Sequence, residues 1–91
     1  MIVVRIRFHD WQKSDLHRIH NFGEGLWRAF RHNKRVRIDI GEIDRCTDEI
    51  TFSVRGAYLR RAVREAETVM REHMVENEAV IVVEEQARPS A

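Results

Sequence analysis

The chain has a single cysteine and a single proline among its 91 residues, together with four glycines. Cys46 has no partner for an internal disulfide, so the fold must be stable without a covalent cross-link, as is usual in a reducing compartment. No apolar run approaches the roughly 18 residues of a membrane-spanning helix, and the N-terminus lacks the apolar block of a signal peptide. We therefore expect a cytoplasmic protein that makes no contact with a membrane.

The chain also lacks a large excess of either charge. Its formal net charge is only +1, which argues against a generic nucleic-acid binder. The charges are unevenly distributed, since residues 1–37 hold nine Lys or Arg against three acids, whereas the remainder holds seven Arg against twelve acids. This asymmetry predicts a dipolar surface or a partner of one sign at one end, unless the fold interleaves the two halves.

The proportions of apolar and charged residues are those of a globular domain. Hydrophobic residues make up 43% of the chain and charged residues 34%, which is too apolar for a disordered tail and too charged for a membrane span. A chain of this length has room for one core. We expect residues 1–85 to form one domain and residues 86–91 to form a flexible tail.

The hydrophobic period changes from two to about three and a half and back, twice along the chain. Apolar residues alternate from Ile2 to Phe8 and then recur at helical spacing from Leu16 to Phe30. The predicted elements, in order, are a strand at Ile2–Phe8, a helix capped by Asp10 or Ser14 and running to Phe30, a strand at 35–44, a strand at 50–55, a helix from Gly56 to about Asn77, and a strand at 79–84.

This β-α-β-β-α-β order predicts an α+β fold. With right-handed crossovers it closes most simply as a ferredoxin-like sandwich, an antiparallel four-stranded sheet in the order 4-1-3-2 with two helices on one face. The other face of the sheet is then left bare. Because many unrelated functions use this arrangement, the fold class alone predicts no function.

A glycine interrupts the apolar arc of the first predicted helix. Gly23 lies among Ile19, Leu26 and Phe30 on that arc, where it lowers helix stability by about 1 kcal/mol relative to alanine. One interpretation is a close approach of the helix to the sheet at Gly23. The other is a break near Gly23 and Gly25 that divides the segment into two shorter helices.

Two loops rich in cations are predicted to meet at one edge of the sheet. If the first and third strands are parallel neighbours, their C-terminal ends and the N-termini of both helices emerge together. Helix N-termini carry partial positive charge and free amide donors, so this edge would bind an anion. The candidate binding residues are Arg7, His9 and Trp11 from the first loop and Arg55, Arg60 and Arg61 from the second.

The charges of the second helix run against its dipole, which suggests that a ligand selected them. Arg60, Arg61 and Arg64 lie near its start, while Glu72 and Glu76 lie near its end, the reverse of an arrangement favoured by about 0.3 to 1 kcal/mol per charge. A phosphorylated small molecule, RNA or an acidic protein would turn this penalty into an attraction. The alternative is an ordinary solvated helix whose arginines pair with neighbouring acids.

The bare face of the predicted sheet offers a second basic surface. Arg5, Arg7, Arg35, Arg37 and Arg55 would project from it, with Asp39 the main acid among them, as in sheet-based RNA binders, where cations hold the backbone. Such binders also stack bases on aromatic side chains, and the outer positions of the third strand are instead Thr51 and Ser53. Because aromatic side chains are missing from these positions, RNA binding on this face is only an alternative to the edge site.

No residue cluster reaches the specificity of a catalytic or metal signature, so we expect no cofactor and no metal. His17, His20 and Glu24 have helical spacing but offer too few ligands for a good site. Cys46 has no histidine near it in sequence to activate it as a nucleophile. A small enzyme using His9 as an acid or base beside the arginines is the weaker alternative to a non-catalytic binding module.

The last predicted strand is apolar on both faces. An edge strand of this kind invites pairing with another chain, and we predict a homodimer through residues 79–84. The alternative is that the chain's own tail or helix ends cover the strand.

Overall fold

The computed structural model of the chain describes residues 1–9, 16–38 and 49–85. These residues form four strands and two helices. In chain order the elements are β1 (Ile2–Phe8), α1 (Leu16–Phe30), β2 (Val36–Ile38), β3 (Glu49–Val54), a 3-10 turn (Gly56–Tyr58), α2 (Leu59–Glu72) and β4 (Ala79–Glu85).

The strands form one antiparallel sheet in the order β2-β3-β1-β4. This is the predicted order 4-1-3-2 counted from the opposite edge, so the α+β class and the strand order are confirmed. The predicted direction of one pair is wrong. β1 and β3 are antiparallel, with Ile2 opposite Val54 and Arg7 opposite Glu49.

The direction of β3 follows from the connections between the strands. A helical crossover leaves β1 and β2 parallel, and the return from β2 into the adjacent β3 then reverses the chain. β3 must therefore oppose β1. The end of β1 consequently lies beside the start of β3, and the end of β3 lies beside the start of β1.

The core lies between one face of the sheet and the two helices. The even positions of β1 and β3 are buried together with apolar residues of both helices, and no polar or charged residue is buried within the described ranges. The fully buried side chains include Ile6, Phe22, Leu26, Phe30 and Phe52. Burial of side chains of this size contributes about 1.5 to 3 kcal/mol each, so these few residues dominate the stability of the domain.

Helix α1 is continuous from Leu16 to Phe30, so the predicted alternative of a break near Gly23 and Gly25 is wrong. The close approach occurs at Gly25 and involves the other helix. A Cβ atom on Gly25 would lie 2.7 Å from Nε2 of His73. Glycine at this position thus allows α1 to pack against the end of α2.

Helix α2 ends at Glu72, earlier than the predicted end near Asn77. Met74 adopts a left-handed conformation with φ 56°. The N–H groups of Met74 and Val75 donate to the carbonyl oxygens of Arg71 and Met70, which is the Schellman pattern of a helix C-terminus. Val75 is fully buried, and its burial fixes this end of the helix.

Candidate anion-binding site

The antiparallel pairing of β1 and β3 separates the two predicted halves of the site. Arg7 lies opposite Glu49 at the start of β3, whereas Arg55 follows the end of the same strand. At about 3.4 Å per residue, the backbones at these two positions are roughly 20 Å apart along β3. The predicted single edge is therefore not formed, since it required Arg7 and His9 to lie beside Arg55, Arg60 and Arg61. Trp11 lies outside the described residues.

The residues at the end of β1 are engaged in the sheet. Nε of Arg7 donates to a carboxylate oxygen of Glu49 at 2.8 Å. The backbone N–H of His9 donates to the carbonyl oxygen of Glu78 at 2.9 Å, which extends the pairing of β1 with β4. Arg7 and His9 thus belong to the β1–β4 end of the sheet and not to the arginines of α2.

The open face of the sheet is less basic than predicted. Arg5 donates to Glu49 at 2.7 Å on one neighbouring strand and to Glu84 at 3.0 Å on the other. The hydrogen bond from Arg5 holds the pKa of Glu49 below its ordinary value, with Arg7 adding to the effect, while partial burial opposes it. The same contacts raise the pKa of Arg5. Arg37 is exposed on this face, but Arg5 and Arg7 are paired with carboxylates.

A different group of cations comes together at the opposite end of the sheet. The backbone N–H of Arg55 donates to the carbonyl oxygen of Arg35 at 3.0 Å, one position beyond the Val36–Val54 pair. Arg35 and Arg55 line a cleft of about 380 Å³ together with Ala57, Tyr58 and Arg61.

A second cleft of about 720 Å³ adjoins the first, because Arg35 and Arg55 line both. Its remaining lining residues are Ala29, His32, Asn33 and Lys34. We call the two adjoining clefts, with the cations Lys34, Arg35, Arg55 and Arg61, the basic cleft. No carboxylate from residues 1–9, 16–38 or 49–85 lines either part of it.

A turn around Asn33 places Lys34 and Arg35 at the basic cleft. The N–H of Asn33 donates to the carbonyl oxygen of Phe30 at 2.9 Å, and its side-chain oxygen accepts from the N–H of Arg35 at 2.9 Å. Asparagine favours such turns because its short side chain bonds to the backbone two residues on. Helix α1 therefore ends at a fixed point, and Lys34 and Arg35 are presented just before β2.

Tyr58 supports the basic cleft from below. Its ring is buried, and its hydroxyl donates to a carboxylate oxygen of Glu65 at 2.9 Å. The Arg35 guanidinium lies 5.6 Å from the centre of this ring, a distance at which the face of the ring attracts a cation. The ring thus holds Arg35 above the start of α2.

The positive end of the α2 dipole lies at the same place. Neither the 3-10 turn nor α2 has a side-chain hydrogen bond at its N-cap, and neither has an acid in its first turn. Within the described residues, no carboxylate lies within ion-pair distance of Arg35, Arg55 or Arg61. Positive charge from side chains and from the start of a helix is therefore concentrated without a counter-ion in the part of the chain that the structure describes.

The structure thus brings together only part of the predicted set. Arg55 and Arg61 line the basic cleft, and Arg60 is exposed on the same turn of α2 without lining it. The sequence analysis did not name Lys34 as a site residue, and it placed Arg35 only on the bare sheet face. The run of polar and basic residues at 32–35 carried the signal, since an antiparallel β2–β3 pair must place this run beside residue 55.

The described residues contain neither a metal-binding cluster nor a membrane-spanning helix. No group of three or more His, Cys, Asp or Glu within them is arranged to hold a metal ion, and none of their helices is long and apolar enough to cross a membrane. Cys46 lies outside the described residues. Comparison of the chain with protein-family models, with curated proteins and with solved structures found no significant match.

Proposed function

We propose that the chain is a small non-catalytic binding module that takes a compact, phosphate-bearing anion in the basic cleft. The observation that carries the proposal is the convergence of Arg35, Arg55 and Arg61 from three segments around one cleft, which no carboxylate of the described residues lines. Guanidinium groups suit this ligand because they are always charged and form paired hydrogen bonds with phosphate oxygens.

The cations of the basic cleft repel one another. Arg35 and Arg55 are cross-strand neighbours, and like charges in such positions destabilise a sheet. Elsewhere the same chain pairs its arginines, as in the contacts of Arg5 and Arg7 with Glu49. A bound anion would offset the repulsion at the basic cleft and leave the folded state more stable.

The size of the cleft favours a small ligand over RNA or an acidic protein. Volumes of about 380 and 720 Å³ lie in the range of small-molecule sites, roughly 300 to 1,000 Å³. RNA binding on the open sheet face loses support because Glu49 and Glu84 neutralise Arg5 and Arg7. A catalytic His9 loses support as well, since it lies at the other end of the sheet from Arg55.

Calorimetric titration and thermal unfolding with pyrophosphate and with nucleoside diphosphates test this proposal. Wild type should be stabilised in a saturable way. Arg35→Gln, Arg55→Gln and Arg61→Gln should each weaken binding by about tenfold or more, because each removes a charge-assisted hydrogen bond of about 1.5 to 3 kcal/mol. Arg71→Gln, with the same charge change at the other end of α2, is the matched control and should bind as wild type does.

Three results would contradict the proposal. One is the absence of any stabilisation of wild type by these compounds. Another is an equal loss of affinity in Arg71→Gln and the cleft variants, which would indicate only a general effect of net charge. The third is binding of short RNA alone, with an affinity that falls steeply as salt rises.

We also propose a fold, a cellular location and an oligomeric state for the chain. We infer a ferredoxin-like sandwich from the strand order and the two helices, and a cytoplasmic location from the single cysteine. We further propose self-association through residues 79–84, because β4 is an edge strand with Val80 and Val83 exposed.

A further inference from the structure

Within residues 1–9, 16–38 and 49–85, nothing pairs with the outer edge of β4. In the sheet order β2-β3-β1-β4, β4 pairs with β1 on one side, and no described strand pairs with its other side. Val80 and Val83 project from opposite faces of β4 and are 41% and 43% exposed. An apolar strand with unpaired backbone groups is a template for another strand.

The hydrogen-bond pattern identifies which backbone groups of β4 face outward. The N–H of His9 donates to the carbonyl oxygen of Glu78, and Phe8 lies opposite Ala79. Hydrogen-bonded and non-hydrogen-bonded pairs alternate along antiparallel strands. Val80, Val82 and Glu84 therefore bond to β1, and the outward N–H and C=O groups belong to Ala79, Ile81, Val83 and Glu85.

We propose that a second copy of the chain adds its own β4 to this edge, antiparallel, with Val82 on the two-fold axis. This inference rests on the self-association included in the proposed function and specifies its register. Ala79 then pairs with Glu85 of the second copy and Ile81 with Val83 of the second copy, so every outward backbone group of both strands is satisfied. An axis at Ile81 or at Val83 leaves the outward groups of one strand end unpaired.

The helix side of the sheet supports the same register. A groove of about 340 Å³ runs between α2 and β4 and is lined by Met70, Ala79 and Ile81, with Glu67, Arg71 and Glu76 as its polar residues. Val83 of the second copy stands opposite Ile81 and closes the apolar part of this groove. With the axis at Val83, Ile81 would instead lie opposite position 85 of the second copy, so Val83 would no longer close this groove.

The open side of the sheet adds charge complementarity. In the proposed register Glu84 of the second copy lies opposite Val80, which is the neighbour of Arg7 on β1. Arg7 already donates to Glu49 through Nε, and Glu84 already accepts from Arg5, but both side chains remain about half exposed. Two strand spacings, about 10 Å, separate Arg7 from Glu84 of the second copy over the small Val80, so the ion pairs of the two copies would join into one network. With the axis at Ile81, Glu84 would instead face Glu78, which is a repulsive pairing.

Cysteine cross-linking tests the register in a Cys46→Ser background, which removes the only native cysteine. Val82→Cys places two thiols in a non-hydrogen-bonded pair across the axis, with Cα atoms about 4.5 Å apart, within the range of a disulfide. Mild oxidation should convert most of this variant into covalent dimer. Ile81→Cys and Val83→Cys should give at least about tenfold less, since each lies farther than roughly 7 Å from its symmetry mate.

Sedimentation of the unoxidised chain provides the second measurement. Wild type should sediment as a concentration-dependent dimer, and Val83→Lys should weaken it at least about tenfold, because a lysine on an edge strand opposes pairing. Met74→Lys makes the same charge change at a side chain that is 71% exposed and off the strand, and it should leave the dimer unchanged.

The outcomes separate the register from self-association. A monomer at all concentrations overturns both, while anion binding in the basic cleft is measured independently. A dimer that cross-links best through Ile81→Cys or Val83→Cys retains self-association and overturns the register. A dimer that Val83→Lys leaves intact, with no cross-link at any of the three positions, overturns pairing through β4.

Discussion

Arg35 and Arg55 lie side by side at the end of the β2–β3 pair, joined by a backbone hydrogen bond of 3.0 Å, and no described carboxylate neutralises either of them. A binding site for an anion should therefore reduce the stability of the unliganded protein. This relationship gives a test of the basic cleft that needs no knowledge of the ligand.

We predict that Arg55→Gln makes the unliganded protein more stable. Removal of one of two like charges across the strand pair should raise the free energy of unfolding by a few tenths to about 1 kcal/mol at low ionic strength. The measurement is urea unfolding at low and high salt. The gain should shrink as salt screens the remaining charges, and a gain of the same size in Arg71→Gln would show that the effect is not local.

We predict that Met74→Gly also stabilises the domain. Met74 holds a left-handed φ of 56° at the position after the α2 C-cap, where glycine has no Cβ to clash. Its side chain is 71% exposed, so little packing is lost. The free energy of unfolding should rise by about 1 kcal/mol. Met74→Ala, which shortens the side chain and keeps the Cβ, should give no comparable gain.

The contact between Gly25 and His73 predicts a coupling between two substitutions. In wild type, Gly25→Ala should destabilise the domain, because the new Cβ would displace His73 from its place beside Phe22. In a His73→Ala background the clash is absent, and the same change should stabilise α1 by up to about 1 kcal/mol through helix propensity.

A double-mutant cycle measures this coupling by chemical unfolding. The sign of the Gly25→Ala effect should reverse between the two backgrounds. An equal effect in both would show that Val69, the other side chain near Gly25, limits the approach of the helices and that His73 does not.

Glu49 predicts how stability depends on pH. The pKa of its carboxyl is lowered in the folded protein, first by the hydrogen bond from Arg5 and then by that from Arg7. The folded state therefore binds the proton less readily than the unfolded chain. The stabilisation is fully present above the unfolded pKa of about 4.3, and it is lost as the pH falls through the lower folded value.

Glu49→Gln should consequently be less stable than wild type near neutral pH, and the difference should narrow on acidification below about pH 4. Thermal unfolding across this range provides the measurement. Glu67→Gln is the matched control, since Glu67 is exposed on α2 and has no ion pair among the described residues. A difference for Glu49→Gln that stays constant with pH would contradict the assignment.

The sequence predicted the faces of the elements better than their directions. Periodicity placed Val4, Ile6 and Phe8 on the buried face of β1, and the structure agrees. Alternation reports which side of a sheet a residue occupies but carries no information on which way the neighbouring strand runs. The orientation of β3 depends on the chain connections, and this error misplaced Arg7 and His9 relative to Arg55.

Two core features had signals that were too weak to use. Phe22 is fully buried and packs against Phe8 and His73. The predicted apolar arc of the helix contained its neighbour Gly23 and did not contain Phe22. The end of α2 could not be located because the position after its C-cap holds Met74 instead of the usual glycine. Tertiary packing of Val75 overrides the local preference there.

The pairing of β1 with β4 affects how the protein folds during its synthesis. β1 is one of the two interior strands of the sheet and the first of the four along the chain, whereas its neighbour β4 is the last of the four. Until residue 85 leaves the ribosome, the apolar row of β1 lacks a partner along one side, and closing so long a loop is intrinsically slow. The contacts between β1 and β4 therefore form only after the other three strands have been synthesised.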